Sequence, residues 1–388
     1  MRMLVLGAGL QGSACAYDLL AHTDHDVVLA DINVDNVPDF LRPHIGGRLA
    51  LERVNANDRA AVRRVMDGVA ATMSALPYYF NQGMAVAAVD AGSNFCDLGG
   101  NTDIVLQQKQ IQERAVGRGV SVVPDCGLAP GMVNILAEYG IRRLENVRAV
   151  RIKVGGLPQN PEPPLNYQIV YSLEGVLDYY TTLSWVLRDG KPVQVKALSE
   201  VEELDFPGTG TLEAFHTAGG LSTMAQRYEG KIPTMEYKTL RYPGHAKAME
   251  TIRDLGLLDL EPVDVKGTRV VPRDVFIAVV GPRLRRDYRA SPDLVAMRVE
   301  VEGEKDGRET LLRWDLLDRF DPETGITAMM RTTGYSLAIT GVLQVQGKVR
   351  PGVWTPDEAV PAAEYIEALR QRGVEIHETE LAPEMAAG

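Results

Sequence analysis

Hydrophobic residues in the first third of the chain come in short unbroken runs. These alternate with stretches that place an apolar residue every three or four positions. The runs at 3–6, 27–30, 49–54, 69–76, 94–98 and 120–124 read as buried strands, and 13–20, 59–65, 81–91 and 104–118 as the helices between them. Asp58 stands where it would cap the second helix. Strand and helix in strict alternation predict a doubly wound parallel sheet, the Rossmann arrangement, over residues 1–127.

The texture changes past Gly131. An amphipathic helix is expected over 132–143 and another helix over 246–255. Strands are expected at 147–154, 166–172, 193–197, 238–242, 274–280, 294–302 and 309–315. Residues 158–164 form a proline-rich loop, and 303–307 read as a hairpin loop. Long strands with few helices predict an inserted α+β domain on a largely antiparallel sheet, residues 128–325. The apolar helix at 332–346, with Gly334, Ala338 and Gly341 along it, is expected to return the segment 326–388 to the first domain. The tail from Ala386 is expected to be disordered. The fold class is thus α/β, with an α+β insertion.

The first strand runs into Gly7, Ala8, Gly9, Leu10, Gln11 and Gly12, a G-x-G-x-x-G turn opening a helix. The first glycine permits the tight turn, the second lets a pyrophosphate approach the backbone, and the third lets helix pack on strand. Asp31 ends the second strand, 19 positions after Gly12. An acid there accepts hydrogen bonds from the ribose of NAD and repels the extra phosphate of NADP, so NAD is the expected cofactor.

Ligands of open α/β sheets bind at the C-terminal ends of the strands. Asn55 and Ala56 then border the adenine, and Ser74, Ala75, Leu76 and Pro77 run beside the nicotinamide ribose. Asp97 and Asp125 fall near the hydride-transfer point, where each either contacts substrate or caps the turn that follows it. Gly127 begins the exit from the nucleotide domain.

In the second domain Arg241, Tyr242 and His245 are the densest polar group. The arginine suits a carboxylate and the histidine suits proton exchange, or else the pair is an exposed arginine and a helix cap. Thr217 opens a small polar loop that lines a pocket or simply turns the chain. The other histidines form no H-x-x-x-H pair, and no metal site is expected.

A net charge of −11 argues against nucleic acid or an anionic membrane surface as the main partner. Three widely spaced cysteines suggest neither a disulfide framework nor a zinc site. No apolar run nears the ~20 residues of a membrane span, and no signal peptide pattern precedes the first strand. A cytoplasmic setting is expected.

The segments 123–131, 240–245 and 325–334 resemble the saccharopine dehydrogenase family over nearly the whole chain. The resemblance implies a Rossmann domain completed by C-terminal segments, a substrate and dimerisation domain between them, and a homodimer. It favours the functional reading of the Arg241–His245 motif, with Arg241 on the substrate carboxylate; Tyr242 and Thr217 stay candidate contacts, and His245 or Asp97, failing them Asp125, the candidates for proton transfer. The activity it implies is NAD-dependent oxidation of the ε-amine of lysine to a semialdehyde that cyclises, with release of ammonia. Ala129 stands where saccharopine-forming relatives carry an aspartate, and Asp178-Tyr179-Tyr180 departs from their acid–tyrosine pair. The alternatives are a saccharopine- or carboxynorspermidine-type reductase, which forms a secondary amine with NAD(P)H, and a non-catalytic NAD-binding redox sensor.

Overall fold

The apolar runs of the first third assemble into one parallel sheet. The computed structural model describes residues 1–382. Its first six strands are β1 (Arg2–Leu6), β2 (Asp26–Asp31), β3 (Leu49–Arg53), β4 (Ala71–Ser74), β5 (Asn94–Asp97) and β6 (Ser121–Val123), paired in the order β6-β5-β4-β1-β2-β3. The reversal between β1 and β4 is the switch point of a doubly wound sheet. The connecting helices are α1 (Leu10–His22), α2 (Arg59–Met66), α3 (Asn81–Ala91), α4 (Thr102–Lys109) and α5 (Gln112–Arg118). Asp58 caps α2 by accepting from the N–H groups of Ala60 and Ala61, both at 3.0 Å.

Two expectations here need correction. The segment 104–118 is two helices: the polar run Gln107, Gln108, Lys109, Gln110 breaks the apolar stripe, and Gln108 turns inward onto Asp97. The next helix, α6 (Met132–Ile141), is not amphipathic. Eight of its ten residues are buried, which makes it a core helix.

The second unit is built on β7 (Glu145–Pro158), the centre of a nine-stranded mixed sheet. Its further elements are α7 (Leu173–Thr181), β8 (Ser184–Arg188), β9 (Lys191–Val195), β10 (Glu202–Phe206) and β11 (Gly210–His216). A short α8 (Met224–Arg227), β12 (Thr234–Arg241) and α9 (His245–Asp254) follow. Then come the hairpin β13 (Val263–Val265) and β14 (Thr268–Val270), α10 (Pro272–Leu284), β15 (Asp293–Lys305) and β16 (Arg308–Arg319). Along the sheet only β12 with β7 is parallel. The β15–β16 strands run through most of the expected 303–307 loop and turn on Asp306 and Gly307, both with positive φ, a type I′ pattern.

Residues 166–172 form no strand. Asn166 has φ 49°, and Leu165 and the continuous run Tyr167–Val170 are buried before α7 begins. Residues 274–280 are helix rather than strand. Pro272 opens α10, and Phe276, Ile277 and Leu284 join the core cluster of Val176, Leu177 and Tyr180 at helical spacing. Burial of one helical face overrides the strand preference of its valines and isoleucine.

After Met329 the chain belongs to the first unit again, as far as Ile376. In α11 (Ala328–Val345) Gln344 donates to the carbonyls of Phe95 and Ser121, at 2.9 and 3.1 Å. β17 (Gly352–Val353) then adds a seventh parallel strand beside β6. The first unit comprises Met1–Arg143, Ser222–Met224 and Met330–Ile376. It therefore includes α6, which lies beyond the boundary expected at 127, and α6 packs against helices within 356–370. The strand His377–Leu381 pairs with β16 in the second unit. The expectation for the tail from Ala386 lies outside the described residues. Among the described residues, no helix is long and apolar enough to cross a membrane.

α11 meets α1 backbone to backbone. A Cβ on Gly334 would stand 2.7 Å from the Gln11 carbonyl oxygen and from the Ala14 Cβ. A Cβ on Gly341 would instead meet the flexible side chain of Met73. Gly334→Ala should therefore cost stability on the order of 1–3 kcal/mol and lower the melting temperature, and Gly341→Ala clearly less. Thermal denaturation of both variants checks this, and equal losses would contradict it.

Candidate active site

The strand tips of the first sheet converge as its topology requires. Gly7 donates to the Ala30 carbonyl at 2.8 Å, Ala75 donates to Leu6 at 2.8 Å, and Ala8 N–H donates to the Asp31 carboxylate at 2.7 Å. Asp31 also accepts from Asn33 N–H at 2.9 Å, which locks it at the end of β2. Asn55 is exposed and accepts from Asn57 N–H, with Ala56 half-buried beside it. Ser74 is buried and donates to Asn81, and the chain then runs through Leu76 and Pro77 to α3. Gly127 is buried at the exit from β6, where its carbonyl accepts from Ser336.

The glycine turn fits a dinucleotide. A Cβ on Gly12 would lie 1.8 Å from the Gly7 carbonyl oxygen, so only glycine lets α1 start this close to β1. A Cβ on Gly9 would meet nothing, leaving the N-terminus of α1 open to a phosphate. No acidic residue lies in the first turn of α1. The carboxamide nitrogen and oxygen of Gln11 are buried there without a hydrogen-bond partner, as a group awaiting a polar ligand would be.

Asp97 and Asp125 sit together at the tips of β5 and β6, both buried. Asp97 accepts from Gly99 N–H at 2.7 Å, Asp125 N–H at 3.4 Å and the Gln108 amide at 2.6 Å. Asp125, at φ 63°, accepts from Gly100 N–H at 3.1 Å and from the Ser222 hydroxyl. Burial pushes Asp97 up to about 6. It pushes Asp125 up to about 7, the neighbouring Asp97 adding to the rise. Both titrate in the range useful to an acid or base near neutral pH.

The second unit holds a separate constellation. Arg241 ends β12 and is only 3% exposed. Its Nε donates to the Tyr180 hydroxyl at 3.2 Å, and its Nη1 to the carbonyls of Leu240 and Gly156 at 2.8 and 3.4 Å. The guanidinium lies 4.8 Å from the ring centre of Tyr167. Among the described residues no carboxylate pairs with it.

His245 begins α9 and is equally buried. Nδ1 lies 2.9 Å from the Leu165 carbonyl, an acceptor only, so that nitrogen carries the proton. Nε2 then accepts from the Tyr180 hydroxyl at 3.0 Å. Burial, followed by the charge of Arg241, pushes His245 down to about 3 and keeps it neutral. Both nitrogens are thus occupied within the protein.

The other sequence candidates in this unit hold the frame. Tyr242 donates to the Pro158 carbonyl at 2.8 Å, and the Thr217 hydroxyl pairs with that of Thr239 at 2.7 Å. Asp178 receives a hydrogen bond from Arg273 at 2.5 Å, which ties α7 to α10. Sequence reasoning missed Tyr167, Tyr180 and Gln108, and also Glu213, which accepts from Gly244 and Ala246 N–H at the start of α9. These hydrogen-bonded partners lie 11 to 65 positions apart, beyond the reach of any local pattern. It also missed Glu200, His216 and Glu236, whose ligand atoms lie within 4.8 Å of one another. Nη2 of Arg188, 2.9 and 2.8 Å from the two carboxylates, supplies the positive charge there.

The parallel sheet, its glycine turn and the open helix terminus define an NAD(P)-binding Rossmann protein with a second, mixed-sheet unit. The chain belongs to the saccharopine dehydrogenase family. Residues 3–123 match that family's NADP binding domain and residues 127–374 its C-terminal domain. The L-glutamate-forming, NADP(+) saccharopine dehydrogenase of Schizosaccharomyces pombe is 23% identical over 270 residues, 66% of this chain and 58% of the relative. The mitochondrial alpha-aminoadipic semialdehyde synthase of Rattus norvegicus is 28% identical over 49% of this chain but only 21% of its own length. This chain therefore spans only part of both. Carboxyaminopropylagmatine dehydrogenase of Synechocystis is 23% identical across 97% of each chain. The apo L-Glu-forming saccharopine dehydrogenase of Saccharomyces cerevisiae has the same fold, with TM-score 0.80, 18% identity and coverage of 98% of this chain and 100% of its own.

A buried acid with a raised pKa keeps its proton in the folded state after the unfolded chain has lost it. Its contribution to stability is full below about 4 and falls as pH rises towards 7. Asp125→Asn should raise the melting temperature at pH 8 relative to pH 4 and flatten the dependence between them. An equal shift at every pH would show that Asp125 does not titrate in this window.

Proposed function

We propose that this chain is an NAD-dependent amine dehydrogenase that oxidises the ε-amine of L-lysine, the L-lysine 6-dehydrogenase reaction. The products are a semialdehyde, which cyclises to 1-piperideine-6-carboxylate, and ammonia. The observation that carries the reading is Arg241, a buried guanidinium without a carboxylate partner among the described residues. An unpaired buried cation costs several kcal/mol, and the carboxylate of an amino-acid substrate would balance it. Family membership supports chemistry at a carbon–nitrogen bond.

Gly7, Gly9, Leu10, Gln11 and Gly12 would hold the pyrophosphate, Asp31 the adenosine ribose, and the tips of β3, β4 and β6 the rest of the dinucleotide. When bound, it accepts hydride from the substrate carbon. Asp31 supports NAD over NADP, since a 2′-phosphate would meet its charge. The substrate ammonium, with an ordinary pKa of about 10.4, has to lose a proton first. Asp125 is the acceptor, oriented by Gly100 and Ser222, while Asp97 holds the loop that carries them. His245 is a positioning residue: through Tyr180 it orients Arg241, and its Nε2 is not free to act as base. A cytoplasmic setting and a small-molecule substrate complete the reading.

The full-length alignment with carboxyaminopropylagmatine dehydrogenase favours a second reading, a reductase that joins a carbonyl compound to an amine with NAD(P)H. Absorbance at 340 nm separates the two. With NAD and L-lysine alone, NADH and ammonia should form, and NADP should serve at least about tenfold less well. Arg241→Ala should raise KM for lysine about a hundredfold, the loss of a charge-assisted contact, with NADH binding unchanged. An unaltered KM would remove Arg241 from substrate binding. Nucleotide oxidation only when a carbonyl and an amine are both supplied would establish the reductase.

The pH profile of kcat/KM should fall on the acid side near pH 7, as Asp125 takes up its proton. Asp125→Asn should abolish that limb and lower kcat by about a hundredfold or more. A limb that persists there but moves in His245→Gln would return the proton chemistry to His245.

A further inference from the structure

β3 ends on Arg53, which pairs in register with Asp31 at the end of β2. Its guanidinium reaches across the tip of β2. Nη1 donates to the Ile32 carbonyl at 2.8 Å, one residue past Asp31, and Nη2 donates to both carboxylate oxygens of Asp35, at 2.7 and 2.8 Å. The loop itself sets Asp35 there. Asn33 N–H donates to the Asp31 carboxylate at 2.9 Å, and the Asn33 side-chain oxygen accepts from Asp35 N–H at 3.0 Å. Two turns in series thus place one acid at 31 and a second at 35, and the arginine is held by the second. The side chains of Arg53 and Asp35 are 55% and 70% exposed. An ion pair so open to water adds little to folding, so stability does not account for the arrangement.

An arginine beside the adenosine ribose is the group that accommodates a 2′-phosphate, because its fork of N–H donors matches phosphate oxygens. Residues 3–123 match a domain described as NADP binding, and this chain carries such a cation at the end of β3. We infer that Asp35 is a selectivity residue for the nucleotide: it engages Arg53 and so denies that guanidinium to a 2′-phosphate. Repulsion by Asp31 is then one part of the preference for NAD, and capture of Arg53 by Asp35 is the other. Asp31, Asp35 and Arg53 together leave one negative charge at this end of the sheet. Without the Asp35 charge, Arg53 balances Asp31 and can turn to an incoming phosphate. The inference rests on the reading that Asp31 takes the adenosine ribose.

Fluorescence titration of the full chain with NADH and with NADPH tests this by binding rather than turnover. The wild type should favour NADH. Asp35→Asn should lower the NADPH dissociation constant by at least about fivefold, the gain of a charge-assisted contact at an exposed site, with an unchanged thermal melt. Arg53→Ala/Asp35→Asn should lose that gain, since the gain belongs to the guanidinium and not to the missing negative charge. An Asp35→Asn variant that binds NADPH as weakly as the wild type overturns the inference, as does a gain that survives the removal of Arg53. A wild type that binds both nucleotides alike overturns it together with the NAD preference of the proposed function. With that preference intact, the two variants judge Asp35 alone.

Discussion

A guanidinium shut away from water, with no carboxylate beside it among the described residues, is the constraint around which the second unit is arranged. Burying an ion costs several kcal/mol unless hydrogen bonds and opposite charge repay it. Arg241 is repaid in part by the Tyr180 hydroxyl, two carbonyls and the face of Tyr167. Each partner is then tied down in turn. Tyr180 donates to His245, and His245 donates to Leu165. A Cβ on Gly155 would stand 2.5 Å from the Leu240 carbonyl oxygen, so β7 has glycine where β12 delivers the arginine. Burial, with the same charge adding to it, keeps His245 neutral, so a residue of ordinary acid–base type acts as a fixed acceptor.

The first unit meets the opposite problem with the opposite means. Two carboxyl groups are buried together, and backbone N–H groups rather than cations satisfy them. Asp125 carries its proton up to about pH 7, so its charge costs less. Close approach of the backbone makes this possible. A Cβ on Gly99 would fall 1.6 Å from an Asp125 oxygen, just as one on Gly12 would strike Gly7. Glycine is required in both places for one reason: a polar group or a helix end is brought nearer than any side chain allows.

The chain alternates between its units, and this shapes the first sheet more than local preference does. α11 crosses α1 at Gly334, Gln344 reaches the carbonyls of β5 and β6, and β17 extends the sheet. These contacts join residues more than 200 positions apart. The nucleotide-binding sheet is thus completed late in the chain, by a segment whose own strand is two residues long.

Period and punctuation decided much of this protein from the sequence alone. The alternation of strand and helix, the Gly7–Gly12 turn and Asp31 are local patterns, and each is set by sterics or burial within a few residues. The Asp58 cap and the turn at Asp306-Gly307 are of the same kind. Where one element serves two masters, the local pattern misleads. The valine-rich stretch 274–280 is a helix because its buried face packs with α7, and 104–118 is two helices parted at Gln110-Ile111. The network of Arg241, Tyr180, His245 and Tyr167, and the pairing of Asp125 with Ser222, exist only in three dimensions. The sequence supplied the charged residues, but their protonation and partners follow from desolvation, and desolvation is a property of the packed interior.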